Sequence, residues 1–193
     1  MRRLRLPSRL IRVLFTGAVV VLVCTIVLRA QTTPDSDTFP DADDHFRYGS
    51  IGTEERVGLP YWIWKVLPTV FEDKLPKRPG VGWERIGFLQ DDKRHARPIG
   101  TSYKDDRIAR VGLNCATCHV GTIRENASSP RQIVSGMPAI QMDLQGYANF
   151  LTACANDPRF DYSTLMAAIR KENPNIGWFD RLIYKLFVIG ATK

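Results

Sequence analysis

The feature that most constrains this chain is a five-residue motif near its middle, Cys115-Ala116-Thr117-Cys118-His119. Two thiols three positions apart lie on one side of a helical turn, and the adjacent histidine is brought beneath them. This C-x-x-C-H order is the attachment signature of c-type haem: the thiols add to the two vinyl groups, and the histidine becomes the proximal iron ligand. The motif therefore predicts a helical turn that carries one covalently attached haem c.

Two other interpretations of the cysteine pair have weaker support. A thioredoxin-like redox dithiol requires a neighbouring βαβ pattern, which residues 90–140 do not show. A zinc site requires a fourth ligand at short spacing, but the nearest other histidine is His95 and the chain has no second C-x-x-C pair. Both remain alternatives to haem attachment.

The sixth iron ligand decides whether the haem only transfers electrons or also binds small molecules. Met137, in the sequence Gly136-Met137-Pro138, is the leading candidate because it resembles the loop that presents the axial methionine in small cytochromes c. The alternative is that Met137 fills a gap in the core, which is a common role of methionine. His45 or His95 would give bis-histidine ligation. The remaining options are an open or water-occupied position and a ligand from another chain or a missing segment.

Two arginines flank the motif at equal spacing and are candidates for binding the haem propionates. Arg110 lies five residues before Cys115, and Arg124 lies five residues after His119. Guanidinium groups bind carboxylates through paired hydrogen bonds, so we expect one of these residues to pair with a propionate. The alternative is that both are ordinary surface charges.

Net charge divides unevenly along the chain. The whole sequence carries +7, from 27 basic and 20 acidic residues, whereas residues 1–30 contain six arginines and no acid. The remainder is nearly neutral and lacks the basic surface that phosphate neutralisation requires, so we do not expect a nucleic-acid partner.

The same N-terminal segment predicts export. Arginines precede an uncharged apolar run over residues 13–28, the order that retains the start of a chain in the cytoplasm and exports the rest. We expect residues 1–30 to be a signal anchor or signal peptide and residues 31–44 to be an exposed linker. The predicted cytochrome domain, residues 45–193, then lies on the periplasmic side of the bacterial inner membrane, either anchored or secreted.

Hydrophobic periodicity predicts a mainly α fold: a cytochrome c-like helical haem domain with a long irregular N-terminal wrap, preceded by a single N-terminal membrane helix. Apolar residues at helical spacing indicate helices at 59–70, from about 140 to 155 and at 178–189. Start and stop signals indicate a further helix at 163–171, with Asp161 near its start, basic residues in its last turn and Pro174 just beyond. Repeated Pro and Gly between residues 76 and 100 predict mostly loop there.

The final predicted helix is apolar around more than half of its circumference, which indicates burial on two sides. No later segment of this sequence supplies the second side. We therefore expect an exposed face at Phe187 and Ile189 that contacts either a missing C-terminal domain or another polypeptide.

Three segments resemble a known group of haem proteins. They are YGSIG at 48–52, GLPYWIW at 58–64 and GLNCATCH at 112–119. The chain, over about residues 45–193, resembles the N-terminal haem region of exported di-haem cytochromes related to rubber oxygenases and to di-haem cytochrome c peroxidases. Members of that group carry a second C-x-x-C-H in a longer chain, whereas this sequence has one. The resemblance implies a second haem supplied by another subunit or by a missing C-terminal domain.

These observations favour an exported mono-haem c-type cytochrome that transfers electrons to or from a redox partner protein. We expect an electron carrier rather than an enzyme. The resemblance implies one alternative, the N-terminal haem domain of a di-haem oxygenase or peroxidase with an open sixth iron position. A second alternative is a haem-bearing subunit that docks a redox partner.

Overall fold

The computed structural model describes residue 39 and residues 41–91, 95–105 and 108–192. The expected signal segment, residues 1–30, and the linker up to residue 38 lie outside the described residues. Within the described ranges, no helix is both long enough and apolar enough to cross a membrane.

The described chain contains short helices before the motif and longer helices after it. The α-helices are α1 (Ala42–Tyr48), α2 (Thr53–Val57), α3 (Tyr61–Val70), α4 (Ala116–His119), α5 (Leu144–Ala155), α6 (Tyr162–Glu172), α7 (Trp178–Ile183) and α8 (Ile189–Thr192). Short 3₁₀ segments occur at Glu72–Lys74 and Gly82–Ile86, and a π-helical turn at Tyr184–Val188 joins α7 to α8.

Several helices begin at an aspartate that satisfies free main-chain N–H groups. The side chains of Asp41, Asp143 and Asp161 accept hydrogen bonds from the first turns of α1, α5 and α6. An uncapped first turn leaves these donors without partners, so the three aspartates fix where the helices begin.

Two small antiparallel sheets flank the motif. The first has the order β1-β3-β2, from Leu59–Pro60, Arg110–Leu113 and Thr101–Lys104. The second is the hairpin of β4 (Val120–Ile123) and β5 (Gln132–Ser135), with Val120 opposite Ser135. Because β3 ends just before the motif and β4 begins just after it, α4 is the direct connection between the two sheets.

The predicted fold class is wrong. The motif is not enclosed by helices of a mainly α, cytochrome c-like domain, because strands of two sheets flank it on both sides in sequence. The region expected as an irregular N-terminal wrap contains α1 and α2 in addition to the helix predicted at 59–70. The strands escaped detection because most are only four residues long, too short for an alternating pattern to show.

Helical periodicity located the main core correctly. The α3 helix buries Ile63, Val66 and Leu67 against α6, which buries Leu165 and Ile169. Further members of this large core come from α5 and the C-terminal segment: Phe150, Cys154, Tyr184, Val188 and Ile189. The helices predicted at 59–70 and 163–171 are confirmed within two residues at each end.

Two apolar positions differ from the prediction. Ile140 precedes α5 rather than belonging to its buried stripe, and its side chain is 88% exposed. Ile189 was expected on an exposed face but is 7% exposed and packs in the large core. The π-helical turn before it explains the second difference, because a change in residues per turn rotates every later side chain.

The outer face of the C-terminal segment remains apolar and exposed. Its large exposed side chains are Trp178, Phe179, Leu182, Leu186 and Phe187. The opposite side is held in the large core by Tyr184 and Val188. The expected exposed face is therefore present at Phe187, which is 66% exposed.

Candidate functional site

The motif lies on a single helical turn that presents its reactive side chains outward. Cys115, Cys118 and His119 are exposed, whereas Ala116 and Thr117 are buried. The main-chain N–H of His119 donates to the carbonyl of Cys115 at 3.0 Å, which closes the turn. The two thiols are free. The helical turn that the motif predicts is confirmed.

A small apolar cluster lies beneath this turn. Its buried members are Tyr48, Ile99, Ala116 and Val120, and Phe46 and Ile133 are among the residues packed against it. Ala116 and Val120 anchor the two ends of the turn, because moving either buried apolar side chain into water costs free energy.

Asn114 fixes the start of the turn from below. Its side-chain amide donates to the carbonyls of Arg47, at 3.2 Å, and Gly49, at 3.0 Å. Its side-chain oxygen accepts from the N–H of Ala116 at 3.0 Å. The C-x-x-C-H pattern gives Asn114 no role, although Asn just before a helical turn is a recognised capping signal.

A close approach of two main chains holds the middle of the turn. The Thr117 hydroxyl donates to the carbonyl of Gly100 at 2.6 Å, and the Asn114 N–H donates to the same oxygen at 3.0 Å. Gly100 has a φ of +89°, and a Cβ at this position would lie 2.6 Å from both the Cα and the N of Thr117. Glycine is therefore required here by backbone conformation and by space.

The turn after β5 brings Met137 to the motif. The N–H of Gly136 donates to the carbonyl of His119 at 2.7 Å, and the N–H of Ala139 donates to the carbonyl of Cys118 at 2.9 Å. Met137 is half-buried and packs over Gly121, where an added Cβ would lie 3.1 Å from its own Cβ. The structure places this methionine beside the motif, and its role as an iron ligand stays a prediction.

The two other candidate histidines lie around α1. His45 is exposed, and its ring meets that of Phe39 edge-on at 6.0 Å. The ring of His95 lies 3.9 Å from that of the buried Tyr48. Burial raises the pKa of Tyr48 well above its usual range, so its hydroxyl stays protonated. The structure thus groups the histidines with aromatic rings on one side of the small cluster.

The flanking arginines lie at the outer ends of the strands beside the motif. Arg110 begins β3, about 10 Å along the strand from Leu113, and its guanidinium lies 3.4 Å from the carbonyl of Glu55. Arg124 follows β4 and donates to the carbonyl of Ala127 at 3.2 Å. Both side chains are exposed, and propionate binding stays a prediction for each.

A separate open groove lies beside the β4–β5 hairpin. It has a volume of about 950 Å³, and its lining includes Arg78, Phe88, Thr122, Arg131 and Ile133. The three reactive residues of the motif are not among its lining residues. Thr122 and Ile133 are a cross-strand pair, so this face of the hairpin contacts the groove.

The residues at the motif suit a covalent haem. Two exposed free thiols and one exposed imidazole on the same turn are the donor set that haem c requires from its attachment site. No group of three or more His, Cys, Asp and Glu side chains that could hold a metal ion occurs in the part of the chain that the structure describes. A haem does not depend on such a group, because the porphyrin supplies four iron ligands.

Comparison with known proteins gave no match: no protein-family model, no curated sequence and no solved structure is significantly similar to this chain.

Proposed function

We propose that this chain carries one haem c, joined through thioether bonds to Cys115 and Cys118, with His119 as the proximal iron ligand. The observation that supports the proposal is the outward presentation of these three side chains on a turn whose remaining residues are buried. A turn of this kind accepts a large planar group without opening the core beneath it.

The proposed activity is electron transfer. A haem of this type supplies a one-electron couple between ferric and ferrous iron, and its potential is set by ligands and burial. The chain holds the group at its surface, where a redox partner protein reaches the haem edge. The motif turn is fixed from beneath, which limits reorganisation of the protein between the two oxidation states.

Export belongs to the same proposal. In the proposed pathway the chain is exported before haem is attached. The basic and apolar residues of the first 30 positions provide the sequence signal for export. We therefore place the mature domain on the periplasmic side of the bacterial inner membrane.

A second candidate is an open-site haem domain of an oxygenase or peroxidase, and the position of Met137 favours it. An axial methionine must approach the iron from the face opposite the proximal histidine. The turn that carries Met137 is instead hydrogen-bonded to the main chain of Cys118 and His119. In the described conformation these two bonds hold the Met137 turn against the residues that would supply the proximal ligand, which favours a sixth position without this methionine.

The deciding experiment is expression of the full chain in the bacterial periplasm together with haem-attachment proteins, followed by mass and absorption measurements. We expect a covalent mass increase of one haem that is abolished in the double variant Cys115→Ala, Cys118→Ala. A wild-type chain that never acquires covalent haem under these conditions would refute the proposal.

Carbon monoxide separates the two candidate activities. If the reduced protein binds it rapidly, the sixth position is open and oxygen or peroxide chemistry is favoured. If binding is blocked in the wild type but rapid in Met137→Ala, Met137 is the ligand and electron transfer is favoured. Met142→Ala is the matched control, because that methionine packs partly buried against the large core.

A further inference from the structure

We propose that Asn114 is a positioning residue for His119, because it locks the motif turn and the C-terminal end of α1 into one unit. The inference rests on the proposed haem attachment for its spectroscopic consequence. The lock itself is a property of the polypeptide and is testable without haem.

The side chain of Asn114 is nearly saturated with hydrogen bonds to main chain. It is 6% exposed, both amide hydrogens are donated, and its oxygen accepts from the N–H of Ala116. Both donated bonds go to carbonyls at the end of α1, where the last carbonyls have no partners within the helix. The Arg47 carbonyl also accepts from the N–H of Gly100 at 3.0 Å, so Asn114 adds a second donor there and a donor to Gly49. One side chain thus satisfies the end of one helix and the start of another.

No other ordinary side chain of this size performs both tasks. Aspartate would keep the acceptor for Ala116, but it would place a carboxylate against two carbonyl oxygens. Leucine has a similar size but would leave the Ala116 N–H and the Gly49 carbonyl without this partner, and the Arg47 carbonyl with the Gly100 N–H as its donor. The requirement for an amide at position 114 follows from this donor and acceptor arrangement.

The lock reaches His119 because α4 has only one turn. Two main-chain bonds, from the N–H groups of Cys118 and His119 to the carbonyl of Cys115, close it, so its direction depends on the contacts that hold its ends and its middle. Asn114 holds the first end, and the bond from the Gly136 N–H to the His119 carbonyl holds the second. A shift at Asn114 therefore rotates the imidazole at the other end.

A chain of contacts through Arg47 connects these two ends. The carbonyl of Arg47 accepts from Asn114, while its guanidinium donates to the hydroxyl of Ser135 at 3.1 Å and pairs with Asp91 at 3.0 Å. Ser135 is the last residue of β5 and directly precedes Gly136. The motif turn is thus enclosed by a ring of hydrogen bonds that passes through α1 and returns at Gly136.

The first test uses the haem-free chain and measures amide hydrogen exchange in residues 42–49. We expect exchange in this segment to be about tenfold faster in Asn114→Asp and Asn114→Ala than in the wild type, as for the net loss of one to two hydrogen bonds. The matched control is Asn126→Ala. Asn126 accepts three hydrogen bonds from Ser128 and Ser129 in an exposed loop, so its loss should leave exchange in residues 42–49 unchanged.

The second test uses the haem-loaded protein and measures the electron paramagnetic resonance spectrum of the ferric iron together with the reduction potential. We expect Asn114→Ala to shift both, and Asn126→Ala to shift neither. A merely structural role would reduce stability without changing the ligand field of His119. If Asn114→Ala does not fold, the same spectrum and potential are measured in Asn114→Asp, which retains the acceptor for the Ala116 N–H.

Two results would overturn the proposal. Unchanged exchange in residues 42–49 would show that Asn114 does not hold α1. Faster exchange with an unchanged ferric spectrum and potential would show that the hold does not reach His119. A wild-type chain without covalent haem would refute the proposed function, and the exchange comparison would still decide whether α1 is locked to the motif.

Discussion

Replacement of Gly100 by alanine provides a quantitative test of how the motif turn is supported. Gly100 has a φ of +89°, and its carbonyl accepts hydrogen bonds from Asn114 and Thr117. A Cβ at this position would lie 2.6 Å from two main-chain atoms of Thr117, closer than non-bonded carbon atoms approach. Main-chain atoms cannot rotate away, so the turn itself must move.

The matched control is Gly52→Ala. Gly52 has a φ of +83°, almost equal to that of Gly100, but a Cβ there would meet nothing within 4 Å. The left-handed conformation should cost both variants about 1 kcal/mol or slightly more. Overpacking should cost Gly100→Ala a further 1–3 kcal/mol or so, which gives a total of roughly 2–5 kcal/mol.

The assay is urea unfolding of the haem-free chain, followed by fluorescence of its four tryptophans and by circular dichroism. We expect Gly100→Ala to lose at least about 1 kcal/mol more in free energy of unfolding than Gly52→Ala. Equal losses would show that the contact between Gly100 and Thr117 gives no support to the turn. The haem-attached fraction should also fall in Gly100→Ala and remain at the wild-type level in Gly52→Ala.

Three further predictions concern other parts of the molecule. Tyr147→Phe should lower the free energy of unfolding by about 1–3 kcal/mol in a urea titration, because it leaves the Trp64 indole N–H, which donates to the Tyr147 hydroxyl at 3.0 Å, without a partner. Hydrogen bonding to the Arg159 guanidinium holds the pKa of Asp157 well below its usual range. The ionised carboxylate therefore stabilises the fold above about pH 4, and this contribution is lost as the pH falls. In Asp157→Asn, the thermal midpoint should therefore fall less between pH 5 and pH 2 than in the wild type, and an identical fall would contradict this. Phe187→Glu should reduce self-association or partner binding in sedimentation experiments, whereas Ile140→Glu should not, because Ile140 is more exposed, at 88% against 66%, and lies outside the C-terminal face. A wild-type chain that stays monomeric and binds no partner would argue against an apolar docking face.

Sequence reasoning succeeded where one pattern determines one local structure. The C-x-x-C-H spacing predicted the helical turn, apolar residues four positions apart predicted α3, and start and stop signals predicted α6. Asp161 was expected near the start of α6, and it does cap that helix. Each of these features depends on residues within about two helical turns of one another.

It failed where structure depends on pairing between distant segments. The strand Thr101–Lys104 is recognisable only through its partner Arg110–Leu113, and the contact between Gly100 and Thr117 has no local signature. Ile189 was assigned to the wrong face because a π-helical turn is not visible in an apolar pattern. The structure confirms that Cys115, Cys118 and His119 are exposed on one turn, and their role in haem attachment stays a prediction.

The separation between the large core and the small cluster beneath the motif has a consequence for which part of the domain opens first. Four buried side chains form the small cluster, whereas the large core has 17. Opening of the smaller unit exposes far less apolar surface, so it requires much less free energy than global unfolding. Cys115 and Cys118 are exposed in the closed form, so a local excursion changes the shape of the turn that presents them while the body of the domain remains native. On the proposed function, a haem joined to this turn would stabilise the weaker unit most, and haem attachment would slow the opening that occurs most easily.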